Sequence, residues 1–246
     1  MCEIQIKVKC CHCQSTKVVK NGKKRTGQQN FLCRACGKQF QNEYFYQGAD
    51  PHVKRQIIGS LMHGSGIRDC RDMYSVSLMT VLQCILTKGA ECLTIQPKMK
   101  HYHQIQIDEL YSFIDNKGKK VWIFYAYAPQ TKEILAVTMG KRTKQQVKYL
   151  MLKLKHLKIT VDYYRTDGFD GFKAVLPFYQ HLIGKRFTKD IEGVNTAIRA
   201  KIARLHRRST KFSKKLKYQW LMFHLFIFFF KSLSKNFNDK NNLFSL

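Results

Sequence analysis

The chain has 246 residues, 44% of them hydrophobic and 13% aromatic, which is enough for a sizeable core and excludes a disordered protein. Its 44 lysines and arginines face 16 acids, a formal charge of +28. So large an excess opposes compaction by self-repulsion unless a polyanion is present, and nucleic acid is the first candidate ahead of an anionic membrane surface.

The N-terminus, MCEIQIKVKCCHC, has no apolar stretch and no cleavage site of the secretory kind. A cytoplasmic protein with reduced thiols is expected, so its nine cysteines suggest metal rather than disulfides. Cys10, Cys13, Cys33 and Cys36 form two C-x2-C pairs nineteen residues apart. Each pair can present two sulfurs from one tight turn, and two such turns make the closed thiolate site of structural zinc. Cys11 and His12 are alternative ligands, but the outer pair keeps the symmetric spacing. Val18, Val19, Phe31 and Phe40 would pack over the resulting ribbon, and Lys7, Lys9, Lys17, Lys20, Lys23, Lys24 and Arg25 around it would suit phosphate contacts.

A helical block follows. Ile57, Ile58, Leu61 and Met62 recur at helix spacing, and Gly64 and Gly66 break the run. Ile67, Cys70 and Met73 mark a second short helix. After a turn at Ser75–Ser77, Leu78, Val81, Leu82, Ile85 and Leu86 mark a third. Helix, tight turn, helix is the helix-turn-helix layout. Its last helix would offer Ser77, Thr80 and Gln83 to a major groove, with Arg68 and Arg71 on phosphates.

The pattern then becomes α/β. Strands are expected at His103–Asp115, Lys120–Ala128 and Glu133–Met139, joined by turn residues into an antiparallel meander. Thr143 would cap a helix through His156. A strand at Ile159–Thr166, a short helix near Phe172–Tyr179, a strand at His181–Thr188 and a helix from about Asp190 complete a ribonuclease-H-like order. The run Trp220–Phe230, WLMFHLFIFFF, is too short to span a bilayer, which needs about 20 apolar residues. It reads as a buried core or interface element, and no membrane partner is expected.

Three carboxylates in this region suggest a metal site. Asp108 lies within a strand amid Ile105, Ile107, Leu110, Phe113 and Ile114, where an acid needs a partner. Asp167 ends another strand, and Glu192 opens the last helix. Hard divalent cations such as Mg²⁺ or Mn²⁺ take oxygen ligands and serve phosphodiester chemistry. Asn195 and Arg199 follow Glu192 on one helix face, which suits a metal ligand followed by a phosphate contact. Asp115, Asp162, Asp170 and Asp190 are the nearest rivals for the triad.

These stretches resemble the transposases of the insertion sequence one (IS1) family, DDE-type enzymes with a ribonuclease-H-like core. The resemblance rests on CCHC…NGKKRTGQQNFLCRACGKQF, the helix-turn-helix block, IDELYSFI, VWIFYAY, RTDGF and KRFTKDIEGVNTAIRAKIARLHRRSTKFSK. The order of Thr188, Ile191, Glu192, Asn195, Arg199, Leu205, Ser209, Phe212 and Ser213 is its most specific part. It covers the chain from about Cys10 to Lys214 and implies an α/β protein, which divides as zinc ribbon over 1–45, helix-turn-helix over 50–90, linker over 91–102 and catalytic domain over 103–216, with a basic, Phe-rich tail over 217–246 that the resemblance does not match. It further implies Asp108, Asp167 and Glu192 as the triad, Cys10, Cys13, Cys33 and Cys36 on structural Zn²⁺, and a helix-turn-helix that reads terminal inverted repeats. Double-stranded DNA, both element ends and target, is then the partner, and a homo-oligomer the active form. The alternative is a DNA-binding regulator or decayed copy without catalysis. One departure is Gly193, beside Glu192, where a larger side chain is expected.

Overall fold

The structure, a computed structural model, describes residues 7–25, 27–41, 46–206 and 211–233. Ser209 and the tail from residue 234 lie outside them. The chain divides between Gln47 and Gly48 into two compact units. The smaller holds three antiparallel strands in sequence order, β1 (Val18–Lys23), β2 (Gln29–Cys33) and β3 (Gln39–Gln41). Its core is small: Cys10, Cys33 and Phe40, with Phe31 stacked on Phe40 at 5.8 Å.

The larger unit opens with α1 (Pro51–Met62), α2 (Ile67–Met73) and α3 (Leu78–Glu91). Asp50 caps α1 by accepting from the His52 amide at 2.8 Å, with Pro51 supplying the preset first turn. Ser77 caps α3 by accepting from the Thr80 amide at 3.0 Å. Then come β4 (His101–Phe113), β5 (Lys120–Ala128), β6 (Glu133–Gly140), α4 (Lys144–His156), β7 (Thr160–Thr166), α5 (Asp170–Lys173), β8 (His181–Ile183), α6 (Lys189–Lys201) and α7 (Leu216–Leu233). The sheet order is β6-β5-β4-β7-β8, with β4, β5 and β6 antiparallel and β7 and β8 added in parallel. This is the ribonuclease-H-like arrangement expected from the sequence.

Strand alternation places a different core on each face of the sheet. Ile105, Ile107, Phe124 and Ala126 face α4 and Phe172. Leu110, Ile123, Tyr125 and Val137 face the other way and join one continuous core with α1, α2, α3, α6 and α7. The helical block therefore shares its core with the sheet rather than standing apart from it. The aromatic run is the middle of α7: Leu221, Met222, Phe223, Leu225, Phe226 and Ile227 are buried. α7 and α3 lie so close that a Cβ at Gly89 would come within 2.8 Å of the Leu221 Cβ. No helix among the described residues is long and apolar enough to cross a membrane.

Two expected elements are shorter than the sequence suggests. The helix near Phe172–Tyr179 is one turn, Asp170–Lys173, because Pro177 cannot continue a helix; Phe178 and Tyr179 emerge 96% and 80% exposed. The strand expected to reach Thr188 stops at Ile183, where Gly184 takes φ +148° and the chain makes a 3-10 turn over Lys185–Phe187. Thr143 does precede α4, but its hydroxyl makes no cap.

α7 carries one group that makes the fold acid-sensitive. His224 is 2% exposed, its Nδ1–H donates to the Trp220 carbonyl at 2.9 Å, and its ring centroid lies 4.2 Å from that of Trp220. Burial pushes its pKa down to about 4. The folded state holds the neutral ring while the unfolded chain takes up a proton below about pH 6.5. Stability is therefore whole above pH 6.5 and falls as pH drops towards 4, by on the order of 3 kcal/mol. We expect His224→Phe to flatten the fall of the urea midpoint between those pH values. A variant as acid-sensitive as the wild type would place the sensitivity elsewhere.

Candidate functional site

Two clusters of the described residues have the spacing of metal ligands. In the smaller unit the sulfurs of Cys10, Cys13, Cys33 and Cys36 lie within 4.8 Å of one another. Cys10 Sγ is 3.7 Å from Cys36 Sγ, and Cys13 Sγ is 3.6 Å from Cys33 Sγ. A disulfide would need about 2.05 Å. A tetrahedron with zinc–sulfur arms of about 2.3 Å has edges of about 3.8 Å, so the four thiols fit zinc. Cys11 and His12 are exposed and lie outside the cluster of four.

The second cluster sits where β4 and β7 part. Their last rung pairs Ile107 with Thr166, so the next residue on each parallel strand, Asp108 and Asp167, emerges beside the other. Asp108 is held from two sides. The Glu109 amide donates to its Oδ1 at 2.8 Å, and Asn195 Nδ2 of α6 donates to its Oδ2 at 2.6 Å. Asn195 is fixed in turn by Tyr125 of β5, whose hydroxyl donates to Asn195 Oδ1 at 2.6 Å. Burial raises the Asp108 pKa above the ordinary carboxylate value, against the Asn195 hydrogen bond and the Arg199 charge, which lower it. Asp167 Oδ1 accepts from the Phe169 amide at 3.1 Å, which pins the turn after β7.

α6 is docked on β4 by one buried amide. Gln106 is 1% exposed; its Oε1 accepts from the Ile191 amide at 2.8 Å and its Nε2 donates to Asp190 Oδ2 at 2.7 Å. That tie sets the helix face on which Asn195 and Arg199 approach the strand ends. Glu192 is exposed one turn earlier and does not join the carboxylate cluster. The position beside it, Gly193, has nothing within 4 Å of an added Cβ, so the larger side chain expected there would fit.

The third member of the cluster is Glu109, which sequence reasoning did not single out. Its side chain is 4% exposed, and Arg142 Nε donates to its Oε1 at 2.8 Å while Arg142 Nη2 donates to the same oxygen. Burial pushes its pKa up to about 7 despite that ion pair, with the Asp167 charge adding to the rise. Adjacent strand residues point to opposite faces, so nothing in the spacing grouped Glu109 with Asp108. The rival acids all have structural partners: Asp115 with Lys119 at 2.9 Å, Asp162 with His103 at 3.0 Å, Asp170 with Lys173 at 3.0 Å, and Asp190 with Gln106.

In the helical block Arg68 and Gln83 are exposed, and Thr80 and Gln83 line a groove with Lys54 and Arg55 of α1. Arg71 is paired with Asp72 at 2.7 Å, and Ser77 is engaged in its cap.

Residues 104–227 match the family model described as IS1 transposase, and residues 4–37 match that of the InsA N-terminal domain. The insertion element IS1 4 protein InsB of Escherichia coli (strain K12) is 32% identical over 123 residues, 50% of this chain and 72% of that protein. The insertion element iso-IS1n protein InsB of Shigella dysenteriae is 33% identical over 112 residues, 46% of this chain and 84% of that protein. Among solved structures, a chain of the simian T-cell lymphotropic virus intasome in complex with PP2A regulatory subunit B56 gamma aligns with a TM-score of 0.37 and 13% identity. It covers 71% of this chain, which spans 65% of that one. With half its length matched by the family model and more than two thirds of these InsB relatives covered, the chain belongs to the IS1 transposase family and carries an InsA-type zinc ribbon.

Proposed function

We propose that this protein is a DNA transposase that binds the terminal inverted repeats of its insertion sequence and cuts and joins DNA strands there. One observation carries the reading. Asp108 and Asp167 stand side by side at the ends of parallel strands, and Asn195 reaches across from α6 to hold one of them. Two half-buried acids so placed repel each other, and their hard oxygen donors fit Mg²⁺ or Mn²⁺. Asp108 and Asp167 would hold the ion, with Glu192 brought in from α6 as the third acid of the triad. Bound there, such ions activate the attacking oxygen and stabilise the leaving one.

The chain's own residues do the rest. Tyr125 and Asn195 orient Asp108, and Arg199 offers positive charge to a DNA phosphate on the same helix face. In the first step a water oxygen bonds to phosphorus, the bond from phosphorus to the 3′-oxygen breaks, and a 3′-hydroxyl is left. In the second that hydroxyl attacks a target phosphodiester and expels the target's own 3′-oxygen. The net charge of +28 draws double-stranded DNA, and the four-cysteine ribbon holds zinc as a structural ion. Thr80 and Gln83 are favoured as groove readers and Arg68 as a phosphate contact, whereas Arg71 and Ser77 would first have to leave their present partners. Joining two ends calls for a homo-oligomer, acting in the cytoplasm on DNA.

A second reading, a regulator that binds without cutting, is favoured by Glu192 lying outside the carboxylate cluster. The two separate on a labelled duplex carrying the element's own end, incubated with Mg²⁺ or Mn²⁺. Cleaved and joined products from the wild type, lost in Glu192→Ala while end binding persists, support the transposase. A wild type that binds the end and leaves it whole makes the protein a regulator.

A further inference from the structure

We propose that Glu109 is a ligand of the same divalent cation as Asp108 and Asp167, and that Arg142 is the positioning residue that aims it. The inference rests on the metal site of the proposed function and adds a member outside the Asp108, Asp167 and Glu192 triad. Three observations support it. One oxygen of each of Asp108, Glu109 and Asp167 lies within 4.8 Å of the others, a spacing one cation can bridge. The Glu109 side chain is only 4% exposed. Its Oε2 is fully buried without a hydrogen-bond partner among the described residues.

The ion pair with Arg142 does not account for that oxygen. Arginine–carboxylate pairs are frequently bidentate, with one nitrogen on each oxygen. Here Nε and Nη2 both converge on Oε1 and leave Oε2 bare. A buried acceptor left so is costly, and a cation on it would remove the cost. Arg142 is itself held: its guanidinium lies 4.1 Å from the Phe169 ring centroid and 4.9 Å from that of Trp122. Phe169 is also the residue whose amide binds Asp167. One turn thus fixes both Asp167 and, through Arg142, the direction of Glu109.

The test is Mn²⁺ binding to the full chain, already loaded with zinc, followed by the paramagnetic resonance of free Mn²⁺. Glu109→Gln should weaken binding about tenfold or more, while Asp115→Asn, at an acid paired with Lys119 outside the cluster, stays within about twofold of wild type. Arg142→Lys should weaken it by a smaller factor, with the metal-free melting temperature little changed. Wild-type Mn²⁺ affinity in a folded Glu109→Gln protein overturns the proposal. If that variant does not fold, Arg142→Ala decides: it releases Glu109 from its anchor, and unchanged affinity overturns the proposal equally. Mn²⁺ bound through Glu109 without any DNA cutting would sink the transposase reading and keep this one. Cutting by a protein whose Mn²⁺ affinity ignores Glu109 would do the reverse.

Discussion

Stripping zinc from this protein, or replacing Cys33 by serine, unfolds its smaller unit. The reason is scale. Among the described residues, Cys10, Cys33 and Phe40 are the buried core there, helped by Val8, Val18, Phe31 and Cys36 at its margin. A core of that size falls below what holds a module of about 40 residues together unaided. Structural zinc contributes on the order of 10–16 kcal/mol at neutral pH, far more than three short strands can. Cys33 is fully buried, so a serine there loses the ligand and leaves a hydroxyl in its place. We expect chelation to abolish amide protection in β1 and β2 while the larger unit, with two cores of its own, keeps its thermal transition. Protected amides across Val18–Cys33 in metal-free protein would show that the ribbon stands without zinc. Loss of the ribbon should also remove most affinity for the element's end.

The second large effect separates activity from stability. Asp108→Asn should lower strand cutting by on the order of a thousandfold, since metal-based charge stabilisation is worth several kcal/mol and each 1.4 kcal/mol is tenfold. The metal-free variant should gain stability relative to the wild type as pH rises. Burial raises the Asp108 pKa in the folded state, so the folded carboxyl prefers its proton. From about pH 4 upward the wild type must ionise it against that preference and loses stability, which the neutral amide does not. The asparagine oxygen can accept from Asn195 but the bond from the Glu109 amide is then lost, a cost that does not change with pH. Measured without metal, the melting temperature of the variant should therefore rise relative to that of the wild type as pH increases from about 4. A difference that stays constant with pH, or moves the other way, would mean that the ionised carboxylate supports the fold. Active sites commonly trade stability for chemistry in this way.

Local signals in the sequence account for the meander and for the helix after it. β5 runs from Lys120 to Ala128 as expected because a turn at Asn116 precedes it, where the Asn116 side-chain oxygen accepts from the Gly118 amide at 3.0 Å. The zinc ligands were legible because their spacing is itself the site. Asp108 was legible because an acid inside an apolar strand is anomalous. Glu109 was not, since its burial depends on Arg142, thirty-three residues away, and on the gap left where β7 departs from β4. Gln106 and Tyr125 were invisible for the same reason: each acts on a residue more than sixty positions distant. The aromatic run was legible as buried, but a helix apolar all round says nothing of which neighbours it meets. The ends of β8 and α5 were missed because Gly184 and Pro177 outweighed the apolar pattern around them.

The contact between Gly89 and Leu221 also sets a schedule for how the molecule is made. α7 begins about 125 residues after α3 ends. At synthesis rates of roughly 5–20 residues per second, α1, α2 and α3 wait about 6–25 seconds for the helix that covers them. During that interval Val81, Cys84, Ile85 and their neighbours lack part of their cover and offer a sticky surface to chaperones or to other nascent chains. A chain released before Leu216 would never close that surface. The helical block, made before the sheet, is thus finished only once α7 arrives.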